Sequence, residues 1–177
     1  MRTSRPGVSF VTTATRDRRP IFEISRVADL FIDTLLHYRR LGHYKLHAYV
    51  VMPDHVHLVL TPQSITLDQA VGLIKSGFAY RLDTKLPIWE DGFTGYSIAN
   101  MHDLEIVRAY LHQLPVRANL TTAAELYPHS SAYRQTSVTA INSPRPIEVT
   151  SLTSASEEEQ AHKSAETSAA SLRKVAS

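Results

Sequence analysis

Along the first two thirds of the chain the spacing of apolar residues alternates between the two-residue period of a strand and the 3.6-residue period of a helix. Val8 to Thr15, V-S-F-V-T-T-A-T, alternates β-branched and small polar side chains and predicts a strand. After a turn at Arg19-Pro20, Val27, Leu30, Phe31, Thr34 and Leu35 recur at helical spacing, which predicts a helix capped by Ser25, running to about Leu41 and stopped by Gly42. Tyr44 to Met52 and Asp54 to Thr61 are apolar runs parted only by Pro53-Asp54, the pattern of an antiparallel hairpin. A second helix is expected from Asp68, with Ala70, Val71, Ile74, Phe78 and Leu82 on its inner stripe. A short fourth strand follows near Tyr96 to Ala99, and a third helix opens at Asp103, with Pro115 expected to bend or end it. The order βαββαβα predicts an α+β domain of ferredoxin-like (RRM-like) form, a single antiparallel sheet with its helices on one face.

From about Ser137 the pattern is lost. Ser, Thr, Ala and Glu dominate, and such a composition buries too little surface to offset chain ordering. Residues 1–136 are therefore read as one folded domain and 137–177 as a disordered tail. The charge follows the same division: 15 Lys and Arg against 12 Asp and Glu in 1–136, and 4 against 5 beyond, within a net charge of +2. The densest basic stretch is T-R-D-R-R-P, where Arg16, Arg18 and Arg19 make either a solvated loop or a phosphate-binding one. The chain lacks cysteine, which excludes disulfides and thiolate metal sites. No apolar stretch approaches the roughly 20 residues that cross a bilayer, so the expectation is a cytoplasmic protein with no membrane partner.

The third strand carries the candidate chemistry. His55 and His57 stand two apart, so on a strand they project from one face with Cα atoms roughly 6.6 Å apart. Val56, Leu58 and Leu60 point the other way and Val59 continues the histidine side, so the strand should be central. Unpartnered imidazoles there would be costly, and a cation accepting both lone pairs removes the cost. With nine histidines in the chain, chance alone yields about 0.4 such pairs. Two ligands are also fewer than the four to six a divalent cation takes, so spacing alone leaves the matter open.

Longer strings decide more. A-Y-V-V-M-P-D-H-V-H-L-V-L-T-P (48–62) resembles the histidine motif of the HUH-class single-tyrosine transposases, in particular the REP-associated branch. W-E-D-G-F (89–93), A-Y-L-H-Q-L-P-V-R-A-N-L (109–120) and the opening V-S-F-V-T-T-A-T-R-D-R-R-P-I-F are similar to that branch's other blocks, in the same order. The likeness covers about residues 8–133.

What this resemblance implies is metal-dependent cleavage and rejoining of single-stranded DNA, at hairpins formed by palindromes. His55 and His57 become ligands of a divalent ion, and Tyr110 becomes the nucleophile that forms a 5′-phosphotyrosine. Without the resemblance, Tyr110 reads as a half-buried aromatic packed on Ile106 and Val107. Imidazole ligands suit Mn2+ better than Mg2+. The branch usually carries an amide residue four places after the tyrosine; here that place is Leu114, which cannot coordinate, and Gln113 or His112 stands beside it. Asn119 replaces a usual glycine and Asp54 a frequent asparagine, both compatible with turns. Arg16, Arg18, Arg19 and Arg117 are candidate phosphate contacts, and Trp89 and Phe93 are either stacking partners for an unpaired base or core anchors. His102 and His129 are expected at the surface.

Two other readings follow from the same residues. One is a hairpin-binding module of this fold that has lost cleavage, suggested by Leu114. The other is a metal hydrolase built on the histidine pair, for which the sequence offers neither a third ligand nor a general base. Whether the protein is a monomer or a homodimer is not written in the sequence.

Overall fold

The structure is a computed structural model that describes residues 7–133; the expected tail lies outside them. The elements are β1 (Val8–Ala14), α1 (Ser25–Arg40), β2 (Tyr44–Val51), β3 (His55–Pro62), α2 (Leu67–Arg81), β4 (Thr94–Ile98) and α3 (Met101–Arg117). All strand pairs are antiparallel and the sheet order is β2-β3-β1-β4, which is the ferredoxin-like topology. β3 is central, as its two-sided apolar pattern requires.

The helices do not share one face. α1 and α2 cover the side built from Val11, Tyr49, Val51, Val56, Leu58 and Leu60, while α3 lies on the opposite side over Phe10, Ala48, Val50, Val59 and Ile98. The reason is in the strands: β1 to β3 carry apolar residues on both faces, and a second apolar face needs its own cover. On the α1/α2 side, Phe22, Phe31, Phe78 and Trp89 form a mutual cluster with ring centroids 5.4 to 5.9 Å apart.

The helix ends refine the expected boundaries. Ser25 is already helical; Ile24 takes the cap position without a side-chain cap, because the turn Ile21–Glu23 runs straight into α1. α1 ends at Gly42 (φ 79°), whose N–H bonds the Arg39 carbonyl at 3.0 Å while that of His43 bonds Tyr38 at 3.3 Å, a Schellman end. α2 is capped by Thr66, which exchanges bonds with Gln69 in a capping box. Pro115 does not end α3 at that point. It sits in the last turn, where its missing N–H removes one hydrogen bond, and the helix runs on to Arg117. Asn119 then adopts φ 56°, with Asn119 N–H bonding Val116 O at 3.0 Å and Leu120 N–H bonding Pro115 O at 2.9 Å. Asparagine tolerates the left-handed conformation that the usual glycine supplies at this stop.

Candidate metal and nucleic-acid site

The sheet register assembles the site. Thr12 of β1 faces His57 and Ala14 faces His55. The two imidazole rings lie 4.8 Å apart at 86°. His57 Nδ1 is 2.7 Å from Thr12 Oγ1, and His55 Nδ1 is 2.5 Å from Asp54 Oδ1. A carboxylate only accepts, so His55 donates from Nδ1, which leaves Nε2 as the nitrogen that a neutral His55 offers to a cation. Burial first, then the charges of His55 and Arg18, push the pKa of His57 down to about 4, so it is neutral near pH 7. The Thr12 hydroxyl can accept from or donate to Nδ1, and in the tautomer that gives its Nδ1–H to Thr12, His57 likewise presents Nε2. Partners on the far nitrogen fix ring orientation in the way metal-binding histidines require.

These two nitrogens fit two positions of a divalent cation. Among the described residues no group of three His, Cys, Asp or Glu side chains is arranged to complete such a site. Oxygen from water, a phosphate or an amide would supply the rest.

Asp54 links the imidazoles to the basic loop. Its carboxylate is 3.5 Å from the Arg18 guanidinium. Burial raises its pKa, but the hydrogen bond from His55 and the charges of His55 and Arg18 outweigh this and hold it below the usual carboxylate range. The hairpin turn is itself clamped: the Asp54 carbonyl accepts from both the N–H and the hydroxyl of Thr15, at 2.9 Å each, and the Pro53 carbonyl accepts from Phe22 N–H at 3.0 Å. The loop after β1 carries Asp17 and Arg18 at φ 56° and 52°, conformations uncommon outside glycine. Arg16 and Arg18 are exposed. Arg19 is committed to the fold, donating from Nε to the Arg16 carbonyl at 3.1 Å and from Nη2 to the Pro87 carbonyl.

Tyr110 lies on α3, the helix on the histidine side of the sheet. It is 46% exposed, and the Arg117 guanidinium sits over its ring at 5.1 Å from the centroid. Leu114 is partly buried against the α3-side core, so the amide position of the family motif is used for packing. Gln113 is exposed. His112 is engaged elsewhere: its Nε2 is 2.8 Å from Ser131 Oγ, which also bonds the Tyr49 backbone.

Of the candidate stacking residues, Trp89 is an anchor. It is 8% exposed, packed in the four-ring cluster, and its indole N–H donates to the Lys75 carbonyl at 3.1 Å. Phe93 packs partly buried against the same core. His102 is exposed, but His129 is not a surface group; it is 7% exposed, because its backbone pairs with the outer edge of β2 and draws the ring inward.

Comparison with known proteins adds one decisive match. The profile of the family described as IS200-like transposases covers residues 9–114, more than half of the chain, from β1 through the histidine hairpin to Leu114. The chain belongs to the IS200-like transposase family. Its fold is shared with the solved structure of a REP-associated tyrosine transposase bound to a REP hairpin, at TM-score 0.66 and 23% identity over 85% of this chain and 91% of that one. A crystal structure from Deinococcus radiodurans R1, described as a candidate transposase, aligns at TM-score 0.47 and 21% identity over 64% of this chain and 95% of that one. No curated protein matches significantly.

Within this IS200-like transposase, sequence reasoning overlooked the partners of the histidines. Thr12 looked like one polar position of an alternating strand, and only the pairing of β1 with β3 brings its hydroxyl to His57. Asp54 looked like a turn residue. The signal available was its adjacency to His55, since a carboxylate next to an imidazole is a common orienting pair. Among the described residues no helix is long and apolar enough to cross a membrane.

Proposed function

We propose that the chain cuts and rejoins single-stranded DNA at folded-back hairpins, as a member of the REP-associated branch. The observation that carries this reading is the pair of imidazoles, each tied at Nδ1 by its own partner, on the same side of the sheet as the helix that presents Tyr110. The Tyr110 hydroxyl attacks phosphorus, its proton passing to solvent. An O–P bond forms as the bond from phosphorus to the 3′ oxygen breaks and that oxygen takes a proton from solvent, which leaves a 5′-phosphotyrosine and a free 3′-hydroxyl. Attack by another 3′-hydroxyl reverses the step without an external energy source.

His55 and His57 hold the divalent cation, which when bound supplies Lewis-acid polarisation of the phosphate. Thr12 and Asp54 keep the imidazoles in the productive tautomer and orientation. Arg117, over the phenol ring at 5.1 Å from its centroid, holds that ring in place. Arg16 and Arg18 meet the phosphates around the scissile one. Gln113, one residue from the position the family fills with an amide, is the protein's candidate oxygen donor.

Incubation of the protein with a single-stranded hairpin and Mn2+ should give a covalent protein–DNA adduct that disappears with Tyr110→Phe. An adduct that survives this change would remove Tyr110 as nucleophile. The packing of Leu114 into the core favours one further reading, a hairpin-binding module without cleavage. In that case hairpin affinity is retained, no metal produces an adduct, and Leu114→Asn is the change expected to restore cutting.

A further inference from the structure

β4 is an edge strand paired only with β1, and its register sets Tyr96 opposite Phe10 and Thr94 opposite Thr12. The Tyr96 ring stacks on Phe10, with centroids 5.1 Å apart and planes 20° from parallel. Phe10 in turn lies 5.5 Å from the His57 ring. A line of touching rings thus runs across the sheet from its open edge to the imidazole pair. Its inner member is closed, Phe10 being 8% exposed, whereas Tyr96 is 55% exposed. Tyr96 stacks on Phe10 on one side and leaves more than half of its surface open to solvent.

The platform is fixed in place. A Cβ on Gly95 would come within 2.6 Å of the Phe10 carbonyl oxygen, so glycine there lets β4 close tightly on β1 and sets the height of Tyr96 above the sheet. Beside it lies a cleft of about 250 Å³ lined by Thr12, Arg18, Glu90, Asp91 and Thr94 among others. Thr12 is the residue that meets His57, and Arg18 the one that pairs with Asp54, so the cleft borders the surroundings of the histidine pair. Its Arg18 side attracts a phosphate. Glu90 and Asp91 repel phosphate and accept hydrogen bonds from base amino groups.

We propose that Tyr96 is a stacking platform for one unpaired base of the DNA strand, the base neighbouring the phosphate held at the histidines. This rests on the function proposed above and adds the residue that seats the flanking nucleotide. A flat ring fixed from behind, near a cleft whose Arg18 side attracts a phosphate, matches the alternation of base and phosphate along a single strand. A folded duplex end offers no such free base.

The test is equilibrium binding in the Tyr110→Phe background, with a hairpin carrying a short unpaired flank and with the same hairpin lacking it. Tyr96→Ala should weaken binding of the flanked hairpin roughly tenfold, leave the bare hairpin unchanged, and be matched by Tyr96→Trp restoring affinity. Moving one abasic site along the flank should reveal a single position at which Tyr96→Ala costs nothing further. Equal affinity of Tyr96→Ala and the parent for the flanked hairpin overturns the platform, as does an equal loss on both DNAs. If adducts still form with the unsubstituted protein, the functional reading survives that failure; if the parent binds neither hairpin, the functional reading falls and the platform with it.

Discussion

On the side of the sheet covered by α1 and α2, Val11, Val56, Leu58 and Leu60 are fully buried beneath Phe22, Phe31 and Phe78. On the α3 side the same strands present Phe10 and Val59 to Leu104 and Leu111, but then Thr12, His55 and His57, none of which belongs to the apolar core there. The difference runs through a single strand. In β3 the residues 56, 58 and 60 hold the fold, and 55 and 57 carry the chemistry proposed above. Because neighbouring side chains on a strand point to opposite faces, one central strand can be rigid on one side and reactive on the other. A reactive group gains a stiff support without sharing its surroundings.

The largest effect expected from this contrast is on the closed side. Phe31, wholly buried and in ring contact with Phe22, Phe78 and Trp89, should cost about 3–5 kcal/mol on replacement by alanine, read from urea unfolding. A loss below about 1 kcal/mol would mean that this side is not the structural one.

The reactive side should respond differently. Thr12→Val alone leaves the His57 Nδ1 without its partner, at a cost of about 1–3 kcal/mol. Removing both partners in Thr12→Val/His57→Val replaces a polar pair by an apolar one and should return stability to within about 1 kcal/mol of the parent, while Mn2+ binding measured by calorimetry is lost. A double variant as unstable as Phe31→Ala would show that the histidines hold the fold, and the division between the two sides would collapse.

That division was largely legible in the residues. The alternation in V-V-M-P-D-H-V-H-L-V assigned each β3 side chain to its face, and the helical stripes at Val27–Leu35 and Ala70–Phe78 marked what covers the closed one. What could not be read was pairing across the sheet. Nothing in T-T-A-T says that Thr12 meets His57, because register between β1 and β3 is a long-range property. The opposite placement of α3 escaped for a similar reason: its own apolar stripe does not tell which side of a two-sided sheet it covers. Trp89 resisted a decision from sequence because an indole serves equally as anchor or as stacking surface, and only its neighbours settle which. At Asn119 local chemistry sufficed, since the demand for a left-handed residue after α3 is itself local.

The smallest effect lies at the margin of the sheet, where two other histidines test whether imidazoles away from the site answer to protons. His129, against the outer edge of β2, has its pKa lowered by burial, an effect that the Asp29 carboxylate 3.7 Å away opposes only in part. His47, at the bulge in β2 and 2.9 Å from Thr61 Oγ1, is lowered by burial and by the charges of Lys45 and Arg108. Both folded-state values fall below the ordinary histidine value near 6.5. The unfolded chain therefore binds protons first as pH drops, so the contribution of these groups is complete above about pH 6.5 and is lost as pH falls through the lowered values. The melting temperature should decline modestly from pH 7.5 to pH 5, and His129→Gln and His47→Gln should each flatten the decline. A profile equally steep in both variants would move the proton sensitivity off this margin, toward His57 and His112, whose pKa values burial also lowers.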